Sequence, residues 1–386
     1  MKSLKSLTSI ILLIAISSCS LVEHSRLQSP ARMDNPETIK EIPFKYEKDL
    51  IIVTAMANDS KLEGQYIFDT GAFYSKIENS LSNDLNLPDI FEKSNGTAQG
   101  VTRMITMTRI DSLTFGNHKF YDIAAGKLIY DKSSGSRCIG PQGIIGSNLI
   151  KLANWKVDFK KRLLTFSSET LDVDTKLKST TLPFSSSTLS GIPEIDIQLG
   201  TIQVEDVIFD LGYNGGLILP MKYLEKLNVK EDLMVFDQSI SGIFGTNVDT
   251  IKIKRLPVKI GNIETEINVE FSSLNKTLLG NDFLEHFLVY LDYDKEEITL
   301  QQTENVEIEP VKKCIPGILN DSLWVVNRTS TGIPLKLGDT LKKVNDKNPK
   351  ESFNSFCDYV LHINTIYAQD TLKVQKKNGE YIRIPN

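Results

Sequence analysis

Two aspartates in this chain end short apolar runs and stand on glycine turns. The first closes Gln65-Tyr66-Ile67-Phe68-Asp69 and runs into Thr70-Gly71-Ala72; the second closes Val207-Ile208-Phe209-Asp210 and runs into Leu211-Gly212-Tyr213. An isolated turn aspartate is common, but two in the same local setting, 141 residues apart, point to a carboxylate pair. Carboxyl groups held about 3 Å apart cannot both ionise cheaply, so they share one proton and titrate as a unit. Such a pair is base and acid at once: the ionised member takes a proton from water while the protonated member hydrogen-bonds a carbonyl under attack. Gly71 and Gly212 fit this chemistry, because the backbone must turn sharply beside the carboxyls, where a Cβ would intrude.

Two aspartates so far apart need two similar structural units to bring them together, and the sequence repeats itself accordingly. After the Asp69 loop come a Gly-bearing stretch at 96–100, a strand ending in Phe115-Gly116-Asn117, and Gly143-Ile144-Ile145-Gly146-Ser147-Asn148 leading into Val157-Asp158-Phe159. After the Asp210 loop come 241–245, Ile260-Gly261-Asn262, and Leu278-Leu279-Gly280-Asn281-Asp282 leading into Leu291-Asp292-Tyr293. Gly146 and Gly280 are 134 residues apart, as are Asp158 and Asp292, so the halves are in register. Short runs rich in Ile, Val, Phe, Tyr and Thr, broken by Gly, Asn, Asp and Pro, predict an all-β region from 45 to 303, with short helices at 78–85 and 221–227. Asp158 and Asp292 precede basic turns and read as solvated. The stretches 96–100 and 241–245 read as hairpins able to close over a ligand.

These motifs together resemble the retropepsin-like aspartic proteases, in which an Asp-Thr-Gly loop, a flap hairpin and a later apolar-apolar-Gly stretch define one lobe. The resemblance implies an all-β fold of two retropepsin-like lobes in one chain, 45–172 and 183–303, with an intramolecular dyad of Asp69 and Asp210 that requires no dimer. It implies an endopeptidase acting on peptide or protein substrates without a cofactor. It also implies that Thr70 sends its hydroxyl across the lobe interface, a role Leu211 cannot reciprocate. Tyr213 stands where the family has a small residue, and its bulk is expected to crowd Asp210. The departures in the second motif give the alternative reading, a degenerate pseudoprotease that binds peptides in the cell envelope.

Beyond 303 a third segment, 308–386, carries Leu335-Lys336-Leu337-Gly338-Asp339-Thr340-Leu341, which resembles the Gly-Asp turn and strand of bacterial PDZ domains. That resemblance implies a small α+β module with a groove helix at 353–362 and a closing strand at 370–376. Gly317, Ile318 and Leu319 would then lie in the loop that binds a peptide carboxylate.

At 386 residues the chain is long enough for two to three domains. Its 44 basic and 49 acidic residues leave a net charge of −5, with no basic run longer than a few residues, which argues against nucleic acid as a partner. The four histidines are scattered and the cysteines do not cluster, so no metal site is expected. Residues 1–18 read as a signal peptide. Ile16-Ser17-Ser18-Cys19 resembles a lipobox, implying acylation at Cys19, an exported chain held on the bacterial envelope, and the outer membrane as its place. Residues 20–44 then read as a flexible tether. Cys138, Cys314 and Cys357 remain; one disulfide, with Cys314–Cys357 as the pair to test, and three reduced thiols are both compatible with their number.

Overall fold

The computed structural model describes residues 26–385, except 28–29, 35–38, 59, 61–62, 175–176, 188, 240, 308–309 and 321. The expected signal peptide at 1–18 and Cys19 lie outside these residues. The fold is all-β with two lobes, built on two large sheets with a few short helices.

Each lobe places its aspartate with the same three strands. In the first, Gly64–Asp69 runs parallel to Gly143–Gly146, bringing Asp69 opposite Gly146, while Ser75–Glu78 pairs antiparallel with the same strand, Lys76 opposite Ile144. In the second, Ile202–Phe209 runs parallel to Leu278–Leu279, and Leu217–Pro220 pairs antiparallel with it, Ile218 opposite Leu278. The runs Ile67-Phe68, Ile144-Ile145 and Leu278-Leu279 are apolar throughout because these strands are buried on both faces. Behind Asp69, Phe68 meets Trp155 with ring centroids 5.0 Å apart, and Trp155 meets Phe166 at 4.8 Å, so the aspartate stands on a rigid aromatic floor.

The lobes are joined by pairing between halves. Asn154–Asp158 runs antiparallel to Phe287–Asp292, with Trp155 opposite Leu291 and Val157 opposite Val289. Positions 134 apart thus exchange partners, which is the signature of a local twofold axis. Asp158 and Asp292 are not freely solvated as expected: Asp158 is buried. They accept equivalent backbone hydrogen bonds, Lys161 N to Asp158 and Lys295 N to Asp292, both 2.9 Å. Each closes a turn whose next residue, Arg162 or Glu296, has positive φ. The carboxylates are turn caps.

The expected tether is also corrected over its described part. Leu27 is buried, Arg32–Met33 pairs with Tyr121 and Phe120, and Lys40–Glu47 joins the sheet through Leu50–Ala57. Alternating burial along Lys40–Glu47, with Ile42 and Phe44 inward, explains why it is a strand.

The C-terminal segment forms the strands Ile315–Leu319, Leu323–Ser330, Thr340–Val344, Thr371–Lys376 and Tyr381–Pro385, with helices Pro349–Ser352 and Phe356–His362. Trp324, Leu341, Val344, Phe353, Tyr359, Leu372 and Val374 are among its core residues. Its sheet continues that of the second lobe, Asp237 facing Arg328 and Val235 facing Ser330. At this junction buried Arg328 donates from Nε to the Asp237 carboxylate at 2.8 Å. The first lobe is bound covalently: Cys138 is bonded to Cys357, and Cys314 is a buried free thiol whose pKa burial pushes up to about 12. The Cys314–Cys357 pair is therefore replaced by one spanning 219 residues, whose cysteines meet only in three dimensions. Gly317, Ile318 and Leu319 lie in a strand paired with Leu323–Ser330, not in a loop.

Candidate active site

The two aspartate loops meet at the lobe interface, each glycine pressed against the opposite carboxyl. A Cβ on Gly71 would stand 2.5 Å from Oδ2 of Asp210, and one on Gly212 would stand 2.5 Å from Oδ1 of Asp69. No side chain fits at either place, which is the physical reason for both glycines. Asp69 accepts the Ala72 N–H at 2.8 Å and Asp210 accepts the Gly212 N–H at 2.8 Å. The two carboxyl groups are close enough for each to shift the other's titration.

Burial raises the pKa of both carboxyls, and the charge of Asp69 raises Asp210 further, well above the usual range. Asp69 is partly relieved by the positive charge of Lys76 and by the Ala72 and Gly71 N–H groups. The pair is therefore biased toward holding a proton, and the larger rise falls on Asp210.

Thr70, fully buried, crosses the interface. Its hydroxyl donates to Phe209 C=O at 2.6 Å and accepts from Leu211 N at 2.9 Å. Leu211 offers nothing in return and is buried in the apolar core, so the lock is one-sided. Sequence reading missed a second tie. The residue after Gly146, Ser147, donates to Thr70 C=O at 2.5 Å, and the residue after Gly280, Asn281, donates to Leu211 C=O at 2.8 Å. Their backbone N–H groups reach Ala72 C=O and Tyr213 C=O, both at 2.8 Å. Each aspartate loop is thus held from behind by equivalent bonds. The signal was in the sequence, since a hydrogen-bonding side chain follows the glycine in both repeats.

Tyr213 does not displace Asp210. Its ring turns back over Gly215 and packs with Ile218 and Leu278.

Two hairpins meet at their tips. Phe91–Gly96 and Thr102–Phe115 form one, its tip closed by Thr97 N to Val101 C=O at 2.9 Å. Ser241–Gly242 and Gly245–Thr246 form the other. At the tip of the latter, Ile243 and Phe244 are buried in a first-lobe cluster with Ile105 and Met107. Arg103 donates to Phe244 C=O at 3.1 Å, Asp131 N to Ile243 C=O at 3.0 Å, and Asn247 to Gln99 C=O at 3.1 Å. The hairpins are latched to each other at their tips; Asp210 is buried, while Asp69 is partly exposed.

Residues 53–149 match the family described as aspartyl protease. The matched stretch holds Asp69, Thr70, Gly71 and Gly146-Ser147-Asn148, and ends before the second lobe. No curated protein matches the chain.

Proposed function

We propose that this protein is an aspartic endopeptidase in which Asp69 and Asp210 form the catalytic dyad. The observation that carries the reading is the reciprocal approach of the two loops, each glycine against the opposite carboxyl, with burial that keeps one proton on the pair. Ionised Asp69 takes a proton from a water between the carboxyls, and the resulting hydroxide adds to the scissile carbonyl carbon. Asp210 gives its proton to the carbonyl oxygen. In the second step a proton passes from Asp69 to the departing nitrogen, the C–N bond breaks, and Asp210 recovers its proton as the carbonyl re-forms. The fixed N–H groups and the one-sided Thr70 lock supply preorganisation.

The same reading takes residues 1–18 as an export signal, Cys19 as a lipid anchor, probed by palmitate labelling lost in Cys19→Ala, and the C-terminal module as a PDZ-like peptide recruiter. The exposed end of the Ile315–Leu319 strand is its docking edge; a peptide with a free C-terminal carboxylate should bind the full chain more tightly than its amide.

The deciding experiment is cleavage of a diverse peptide mixture by residues 26–386 from about pH 3 to 8, beside Asp69→Asn and Asp210→Asn. Cutting by the wild type and by neither variant supports the dyad. Binding without any cutting would make the chain a peptide-binding pseudoprotease.

A further inference from the structure

Lys76 is a charge the dyad chemistry does not require, and it lies deep in the first lobe. It is 5% exposed, and its ammonium donates to Tyr74 C=O at 3.2 Å. An ammonium has three N–H donors, and among the described residues no ion pair of Lys76 is found. The carboxylate whose charge acts on it is that of Asp69. A second cation stands beside it. Lys93, on the first-lobe hairpin, places its ammonium 4.7 Å from the ring centroids of both Phe73 and Tyr74, the residues that follow the Asp69 loop.

The other charges on the surrounding strands are engaged. Glu78, in the strand of Lys76, caps the next helix through Leu81 N, and Lys127, on the neighbouring strand, pairs with Asp89. Glu92, beside Lys93, is exposed on the opposite face of its strand. Lys76 thus acts on Asp69, and Lys93 adds a second positive charge next to Lys76, over the rings of Phe73 and Tyr74.

The second lobe differs. Lys76 is opposite Ile144 as Ile218 is opposite Leu278, so Ile218 is its counterpart. Lys93 is opposite Ile105, eleven residues before the Gly116 turn; Phe236 is opposite Thr250, eleven before the Gly261 turn. Both lysines are thus matched by apolar residues across the local twofold axis.

We infer that Lys76 and Lys93 form a cationic subsite that takes an acidic side chain of the substrate on one side of the scissile bond, while the Ile218 side takes an apolar one. The inference rests on the proteolytic reading of the same site. Burial disfavours the charged form of both lysines, and Lys93 disfavours that of Lys76 further, so a carboxylate entering between them relieves both. Charge-assisted hydrogen bonds in such a place should favour Glu over isosteric Gln by roughly ten- to a hundredfold in kcat/KM.

The test is a matched set of peptides carrying Glu or Gln at each position around the cut, assayed with wild type, Lys76→Met and Lys93→Met, each checked for folding by circular dichroism. The expected result is a Glu preference at one position on one side of the cut, reduced in both variants; Lys93→Met, at a half-buried site, keeps the test valid if Lys76→Met does not fold. Equal cleavage of Glu and Gln peptides by wild type overturns the inference and leaves the protease standing. A Lys76→Met enzyme with an unchanged Glu preference and a displaced pH profile also overturns it, because Lys76 then acts only through Asp69. If nothing is cut, the proteolytic reading fails, and fluorescence anisotropy of the same peptides decides the subsite: a Glu preference lost in the variants supports it, and equal binding refutes it.

Discussion

The one-sided Thr70 lock makes a quantitative prediction. Thr70→Val keeps the shape of the side chain but removes the hydroxyl that serves Phe209 C=O and Leu211 N. Both groups lie at a fully buried residue, and Leu211 has no hydroxyl with which to compensate. Leaving one buried polar group unpaired costs about 1–3 kcal/mol, so two orphans should cost about 2–6 kcal/mol. With a urea dependence of about 3 kcal/mol per M, the midpoint should fall by roughly 1 M. Thr70→Ser retains the hydroxyl and loses one methyl, a cost of about 0.8 kcal/mol. Because the lost bonds also fix the relative position of the two loops, kcat/KM for Thr70→Val should fall by roughly a hundredfold. The assay is urea denaturation of the three proteins followed by tryptophan fluorescence, with peptide cleavage on the same preparations. A Val variant within about 0.5 kcal/mol of wild type, or a Ser variant as unstable as Val, would refute the assignment of the lock.

Three further outcomes follow from the geometry. Gly212→Ala forces a Cβ against the Asp69 carboxyl and should lower kcat/KM by about a hundredfold or more, measured on protein whose circular dichroism matches wild type. Asp210 has a folded-state pKa raised above its unfolded value, so its stabilising contribution is complete at low pH and is lost as pH rises through the folded value. Asp210→Asn should therefore match wild type near pH 3 and melt about 3 °C or more above it at pH 8, as read by thermal scans; equal melting points at both pH values would contradict the buried, proton-sharing geometry. Cys138→Ser with Cys357→Ser removes a cross-link spanning 219 residues, worth up to about 5 kcal/mol by chain entropy. Non-reducing peptide mapping of the wild type should recover the Cys138–Cys357 peptide and leave Cys314 unalkylated until the protein is unfolded.

The aspartate loops, the lobe repeat and the helix Met221–Leu227 were legible because each is a local pattern: an apolar run, a glycine turn, a register of 134 residues. What was not legible depends on distant partners. The Cys138–Cys357 bond joins segments that no spacing relates, and Ile243 and Phe244 read as part of a second-lobe hairpin although the first lobe buries them. Asp158 and Asp292 look solvated beside basic turns, but pairing between the lobes covers Asp158. The bulk of Tyr213 was visible and its direction was not, since that depends on the space left by Gly215. Arg32–Met33 lies in a polar stretch, and its strand exists only because the 118–128 strand offers an edge.

The pairing of Asn154–Asp158 with Phe287–Asp292 also sets the order in which the molecule can be made. Synthesis runs from the amino terminus, so a nascent chain holds Asp69 early and Asp210 midway. The strand that ties the lobes together, and Asn281 behind the second loop, leave the ribosome much later. Until then the first half has an unpaired sheet edge, and of the bonds described above the Thr70 hydroxyl alone ties one aspartate loop to the other. A product truncated before residue 281 would carry both aspartates and Thr70, but neither the strand that pairs the lobes nor the Asn281 bond behind the second loop.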